Sequence, residues 1–289
     1  MKGIFSPLFC GLALLCAAGV QAQEFKEHIS KEFPVSAARA GMLAIYNLNG
    51  PVKVEGYAGD KVVVEIDELI TADDSTDLQA GKNEFKLGID QKSDSIMFYI
   101  AEPYDTRPHR NRRWNDDGWG MRRPDYDFQL SFTVKIPYAM GLIASTVNRG
   151  DIVVQDVAGS LDVNNVNGPI TIRNAKGATK ARTINGDVTV NYLDVPPTAS
   201  DYYTLNGELS VTYPASMSAI CQFKSMNGSF YTDFSDVVIL PAQVEKNRQQ
   251  TGNGVMYKLN VAKQVKIGSG GKLFKFETMN GDIYVKKQS

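Results

Sequence analysis

Gly150-Asp151-Ile152-Val153-Val154-Gln155-Asp156-Val157-Ala158-Gly159-Ser160-Leu161-Asp162-Val163-Asn164-Asn165-Val166-Asn167-Gly168 is the stretch that decides the fold. A glycine returns every nine residues, at Gly150, Gly159 and Gly168, and the step continues at Gly177 and Gly186; the same interval separates Gly50 from Gly59. Two and four residues after the glycine stand apolar side chains, Ile152 and Val154, Leu161 and Val163, Ile170 and Ile172, Val188 and Val190, with the Gly177 unit weaker at Thr179 and Ala181. That alternation is the signature of a half-buried strand. A third apolar residue follows at the seventh position, at Val157, Val166, Ala175, Ile184 and Leu193, one residue out of phase, while the sixth position is polar at Asp156, Asn165, Asn174 and Thr183. The spacing predicts a bend there, with the sixth side chain outward and the seventh inward.

Asn precedes glycine at Asn49-Gly50, Asn167-Gly168, Asn185-Gly186, Asn206-Gly207, Asn227-Gly228 and Asn280-Gly281. Asn and Gly tolerate positive φ better than other residues, so the pair marks a tight corner. Two nine-residue sides per Asn-Gly corner predict an all-β fold, a parallel β-solenoid with coils of roughly 18–21 residues. The competing reading is a series of hairpins, because Asn-Gly is also a favoured hairpin turn. A single coil buries too little apolar surface to offset the entropy of ordering it, so coils must stack and share a core.

Lys2 followed by an apolar run from Leu8 to Val20 and then Gln21-Ala22 reads as a secretory signal peptide over residues 1–22. The run is shorter than the roughly 20 apolar residues of a membrane span. Residues 23–289 are then expected to form one exported solenoid domain, without a membrane span after cleavage, in the periplasm, on the cell surface or secreted. Cys10 and Cys16 fall inside the leader, which leaves Cys221 alone in the mature chain. That excludes an intramolecular disulfide and a cysteine zinc site, and a small buried apolar role is expected for it. The 31 Lys and Arg nearly balance the 32 Asp and Glu, a poor match to a nucleic-acid binder.

The repeat is interrupted at about 68–140. Ile96, Phe98 and Ile100 alternate before a polar loop at 103–125, and Phe128, Leu130, Phe132, Val134 and Ile136 alternate after it; the two runs predict an inserted antiparallel strand pair. A second stretch, Gln243 to Val255, reads as a loop. The 103–125 loop holds both tryptophans and a cluster of arginines, the side chains most often found at binding hot spots. Arg110, Arg112, Arg113, Trp114, Trp119, Arg122 and Arg123 are therefore the candidate contact residues, for a surface protein or a glycan of unknown identity; the alternative is that Trp114 and Trp119 pack down as a lid on the solenoid end while the charges pair among themselves.

Three stretches resemble a known family. Asn49-Gly50-Pro51-Val52-Lys53-Val54-Glu55-Gly56 with Gly59 to Val64, the run from Val147 to Val190, and Gly270-Gly271-Lys272-Leu273 leading to Asn280-Gly281-Asp282-Ile283 are similar to the adhesin-like domains of unknown function in bacterial envelope proteins, related in style to auto-transporter adhesin head domains. The resemblance implies a β-helical, non-enzymatic envelope protein. The residues agree: His28 and His109 stand far apart, no cofactor or metal motif is present, and the carboxylates after the corners, Asp151, Asp187, Glu208 and Asp282, are too sparse for a calcium repeat and read as solvated turn residues. The alternative is a β-helical polysaccharide-active enzyme, a lyase, which would need a base beside clustered carboxylates.

Overall fold

The computed structural model describes residues 22–35, 41–108, 124–251 and 254–289, with the backbone alone over 242–262. The chain opens with β1 (Gln23–Pro34), β2 (Met42–Tyr46), β3 (Val52–Tyr57) and β4 (Lys61–Ala72). A short helix, α1 (Ser75–Glu84), precedes β5 (Lys86–Gln91), β6 (Ser95–Glu102) and β7 (Tyr126–Pro137). Pairs of short strands follow: β8 (Gly141–Ser145) and β9 (Ile152–Gln155), β10 (Leu161–Asn164) and β11 (Ile170–Ala175), β12 (Thr179–Arg182) and β13 (Val188–Tyr192), β14 (Ser200–Asn206) and β15 (Leu209–Tyr213), β16 (Ala219–Asn227) and β17 (Phe230–Thr232). β18 (Val237–Thr251) and β19 (Gly254–Ile267) lead to the last pair, β20 (Lys272–Asn280) and β21 (Ile283–Lys287).

These strands form two largely parallel sheets, an arrangement consistent with a β-solenoid. One sheet runs β1-β4-β7-β3-β9-β11-β13-β15-β21-β17 and the other β18-β19-β16-β20-β14-β12-β10-β8-β2-β6-β5. Each strand pair contributes one strand to each sheet. From Gly150 to Gly186 every neighbour is parallel: β9 with β11, β11 with β13, β8 with β10, β10 with β12. The hairpin reading of the Asn-Gly pairs is excluded there.

Stacking follows chain order only in the middle. Near the start, the β2–β3 coil lies between β6–β7 and β8–β9; near the end, β20–β21 enters between β14–β15 and β16–β17. Residues at the second and fourth positions of each unit, Ile152, Val154, Ile170, Ile172, Val188 and Val190, are fully buried. Toward the C-terminal half the core turns aromatic. Tyr192, Tyr202 and Tyr213 are fully buried, their hydroxyls joined at 2.7 and 3.0 Å, and Tyr213 stacks on Phe274 as Tyr202 does on Phe276. The hydroxyl chain satisfies polar atoms that would otherwise be costly to bury.

Four expectations are corrected. Ile96–Ile100 and Phe128–Ile136 do not pair with each other: β6 and β7 lie in opposite sheets, parallel to β2 and β3, and Phe98 meets Phe132 edge-on across the interior at 6.0 Å. Alternating apolar runs state which face is buried but not the partner, so the two runs form a further coil rather than an inserted pair. Antiparallel pairing does occur nearby, between β1 and β4, β4 and β7, and β5 and β6. Of the stretch Gln243 to Val255, the described residues, Gln243 to Thr251 with Gly254 and Val255, belong to the antiparallel ladder of β18 and β19. A helix is present although no helical period was read; α1 is brief and starts where the Asp74 carboxylate accepts from the Thr76 and Asp77 amides.

The fourth correction concerns phase. Val157 and Ala175 are buried as expected, but at the Asn-Gly corners the strand phase runs on: Asn165 and Thr183 point inward and are buried, whereas Ile184 is 37% exposed. Leu193 is exposed as well, with Tyr192 taking the inward place.

Candidate functional site

The Asn-Gly corners line up as parallel columns along one edge of the coil stack. Asn148 donates to Asn49 at 3.3 Å, Asn167 to Asn148 at 2.9 Å, Asn185 to Asn167 at 2.8 Å and Asn206 to Asn185 at 2.9 Å. Asn280 then donates to Asn206 at 2.7 Å and Asn227 to Asn280 at 2.8 Å. Every primary amide offers both a donor and an acceptor, so one residue type extends the ladder indefinitely. Six of these seven asparagines were legible as Asn-Gly pairs. Asn148 was not, because Arg149 separates it from Gly150, taking φ 58° at the corner.

Two residues before each asparagine a small polar side chain turns inward and bonds a glycine carbonyl. Thr146 donates to Gly50 at 2.9 Å, Asn165 to Gly150 at 3.0 Å, Thr183 to Gly168 at 2.9 Å and Thr204 to Gly186 at 2.8 Å. Thr278 and Ser225 repeat the contact on Gly207 and Gly281. Gly50, Gly150, Gly168, Gly186, Gly207, Gly281 and Gly228 form the third column. A Cβ on Gly186 would lie 2.4 Å from the Gly168 carbonyl oxygen, closer than any real contact, so the backbones approach only because no side chain is there.

The carboxylates after the corners are partly structural rather than only solvated. Asp187 accepts from the Glu208 amide at 2.7 Å and Asp282 from the Ser229 amide at 2.8 Å, each tying one coil to the next.

At the N-terminal end the columns meet β7, whose coil has no Asn-Gly corner. Asn47 and Asn49 donate instead to the Leu130 and Phe128 carbonyls, at 2.9 and 3.0 Å. The place of the missing corner is the 103–125 loop, between β6 and β7. Its first root is fixed: Thr106 bonds the Tyr46 carbonyl at 2.7 Å, and Arg107 pairs with Asp105 at 2.7 Å over the Tyr99 ring. Its second root, Asp125, lines with Tyr104, Tyr126, Leu48, Asn49 and Asn148 a cleft of about 780 Å³. Burial holds the Tyr126 phenol above its ordinary range. Arg110, Arg112, Arg113, Trp114, Trp119, Arg122 and Arg123 lie outside the described residues, as does most of the leader at 1–22.

His28 has carboxylate neighbours that its sequence position concealed. β1 pairs with β4 so that His28 faces Asp67, with Nδ1 2.7 Å from Asp67 and Nε2 2.9 Å from Glu65. The hydrogen bond to Asp67 leads in raising its pKa above 6.5. Opposite Glu27 on the same pair, burial lifts the Glu68 carboxyl to about 7, and the Glu27 charge adds to it. Cys221 is fully buried and its thiol is pushed up to about 12, the inert role expected of it. Among the described residues no group of three or more His, Cys, Asp or Glu converges on a metal-sized site, and no helix is long and apolar enough to cross a membrane.

No family model matches the sequence, and no curated protein matches it. Solved structures align with 91% of this chain, two of them as follows. One is a "putative cell adhesion protein" from Clostridium sporogenes, 12% identical, TM-score 0.40, covered over its whole length. The other is a "putative adhesin" from Bacteroides fragilis, 11% identical, TM-score 0.37, covered over 97%.

Proposed function

We propose that the chain is an exported, non-enzymatic envelope protein: a parallel solenoid with coils of roughly 18–21 residues that carries the 103–125 loop as a contact surface for a protein or glycan. One observation bears most of the weight. The polar residues that recur at every corner, where a repeated site would be built, are committed to holding coils together: asparagine to asparagine, threonine to glycine carbonyl, Asp187 and Asp282 to the next coil's amide. The loop takes the place of a corner at the end of those columns, with Thr106 and Arg107 fixing its entry. A rigid framework that displays a fixed-root loop suits recognition, since less freedom is lost on binding.

The residues of the loop set the test. Immobilised full chain, with the leader removed, is exposed to solubilised envelope polysaccharides and surface proteins, beside Trp114→Ala and Trp119→Ala. Retention that both substitutions abolish supports the loop as contact surface; retention unchanged by either removes it. The same preparation, incubated with envelope polysaccharides with and without calcium, should release no unsaturated or reducing sugar. Cell fractionation with surface proteolysis should recover the mature chain outside the cytoplasm.

A further inference from the structure

The C-terminal end of the coil stack is open. Among the described residues β17 pairs with β21 alone and β16 pairs with β19 as far as Phe223, so from Lys224 onward no described strand lies on the outer side of the last coil. Its inward aromatics, Phe223 and Phe230, stack at 4.2 Å yet remain half-exposed, whereas Phe274 and Phe276 one coil inward are buried. Between this coil and the base of the β18–β19 hairpin lies a cleft of about 730 Å³. Val237, Leu240 and Val265 continue its apolar wall, and Ile239 stands at its mouth, 83% exposed.

Alternation along β19 puts Lys263 on the same face as the buried Val265 and Ile267, directly across from Phe223. Lys263 is itself exposed, so its ammonium stands in solvent at the edge of the cleft. Lys224 at the rim is paired with Glu277; among the described residues Lys263 has no ion pair and none that lines the cleft carries a carboxylate. An apolar wall of ligand-pocket size with an unpaired lysine at its solvent edge complements one ligand shape, an apolar chain ending in an anion.

We propose that this end of the solenoid binds a single-chain anionic amphiphile, the chain against Phe223, Phe230 and Ile239 and the head group on Lys263. The site is separate from the 103–125 loop, so either can fail without the other. Decanoate titrated calorimetrically into the full chain, leader removed, should bind saturably with one site. Ile239→Asp, at an exposed position that folding does not depend on, should weaken decanoate about tenfold or more. Lys263→Glu should weaken decanoate roughly fivefold and leave decanol unchanged. No saturable uptake of decanoate, or uptake that both substitutions leave intact, overturns the proposal. So does a concentration-dependent dimer in sedimentation velocity that Ile239→Asp dissolves while decanoate does not bind, because a second copy would then be the occupant.

Discussion

Thr204 shows how a small polar residue two places before a corner becomes part of the interior. It belongs to the recurring Thr, Asn or Ser two places before each corner asparagine, and it is fully buried with its hydroxyl on the Gly186 carbonyl. Removing the hydroxyl while keeping the shape leaves that carbonyl unpaired, so Thr204→Val should lower stability by about 1–3 kcal/mol. Urea unfolding should show a lower midpoint at unchanged slope. Polar side chains in a strand pattern ordinarily mark solvent, which is why the sixth positions were assigned outward. The readable signal was their constancy, since a solvent-facing position has no reason to stay within Thr, Asn and Ser at Asn47, Thr146, Asn165, Thr183, Thr204, Ser225 and Thr278. His28 carries a second residue-scale prediction. Its raised pKa means the folded state holds the proton more tightly, so its pairing with Asp67 adds stability fully below the unfolded pKa and loses it as pH rises through the folded one. NMR titration of the ring should give a midpoint above 6.5 that falls back in Asp67→Asn.

Elements are where a sequence pattern is least able to choose partners. Ile96–Ile100 and Phe128–Ile136 were legible as strands, and their buried faces were right, yet either run could have paired with the other or with β2 and β3. The corner columns decide it: a parallel neighbour in each sheet lets Asn47 and Asn49 reach the β7 carbonyls, a tie that no local pattern encodes. The β18–β19 ladder was hidden for another reason. Its Gln- and Asn-rich middle lacks the alternation that identifies a half-buried strand, so composition suggested a loop. The β1–β4 pair bears its own test. Glu27 and Glu68 stand directly opposite, and like charges so placed destabilise a sheet. Glu68 is buried, and its carboxyl is raised to about 7. Stability from protonating it is therefore complete below the ordinary carboxylate range and lost as pH climbs toward and past 7. Glu68→Gln should raise the melting temperature at pH 8 and change it little at pH 5. A gain of equal size at both pH values would show that the penalty does not depend on the charge of Glu68.

At the scale of the whole molecule, the stack cannot be completed in the order the chain is written. β14–β15 and β16–β17 are joined by a short link, yet β20–β21 lies between them and pairs in parallel with both. Its Asn280 is the rung between Asn206 and Asn227, and Phe274 and Phe276 fill the core against Tyr213 and Tyr202. Parallel neighbours far apart in sequence are slow to meet, because a long loop must close before any contact repays it. The last segment is thus expected to act as a wedge that locks the C-terminal coils, and Cys221 reports on it. Cys221 faces Phe274 across the β16–β20 register and is fully buried, so a thiol reagent should not label the intact chain under native conditions. Removing residues 268–289 takes that wall away, and the thiol should then react rapidly. A synthetic peptide of residues 268–289 carries both strands and their corner, and adding it in trans should restore protection as it refills the slot. If the truncated chain stays unreactive, the coils on either side have closed on each other without the wedge, and the C-terminal strands cover the solenoid rather than complete it.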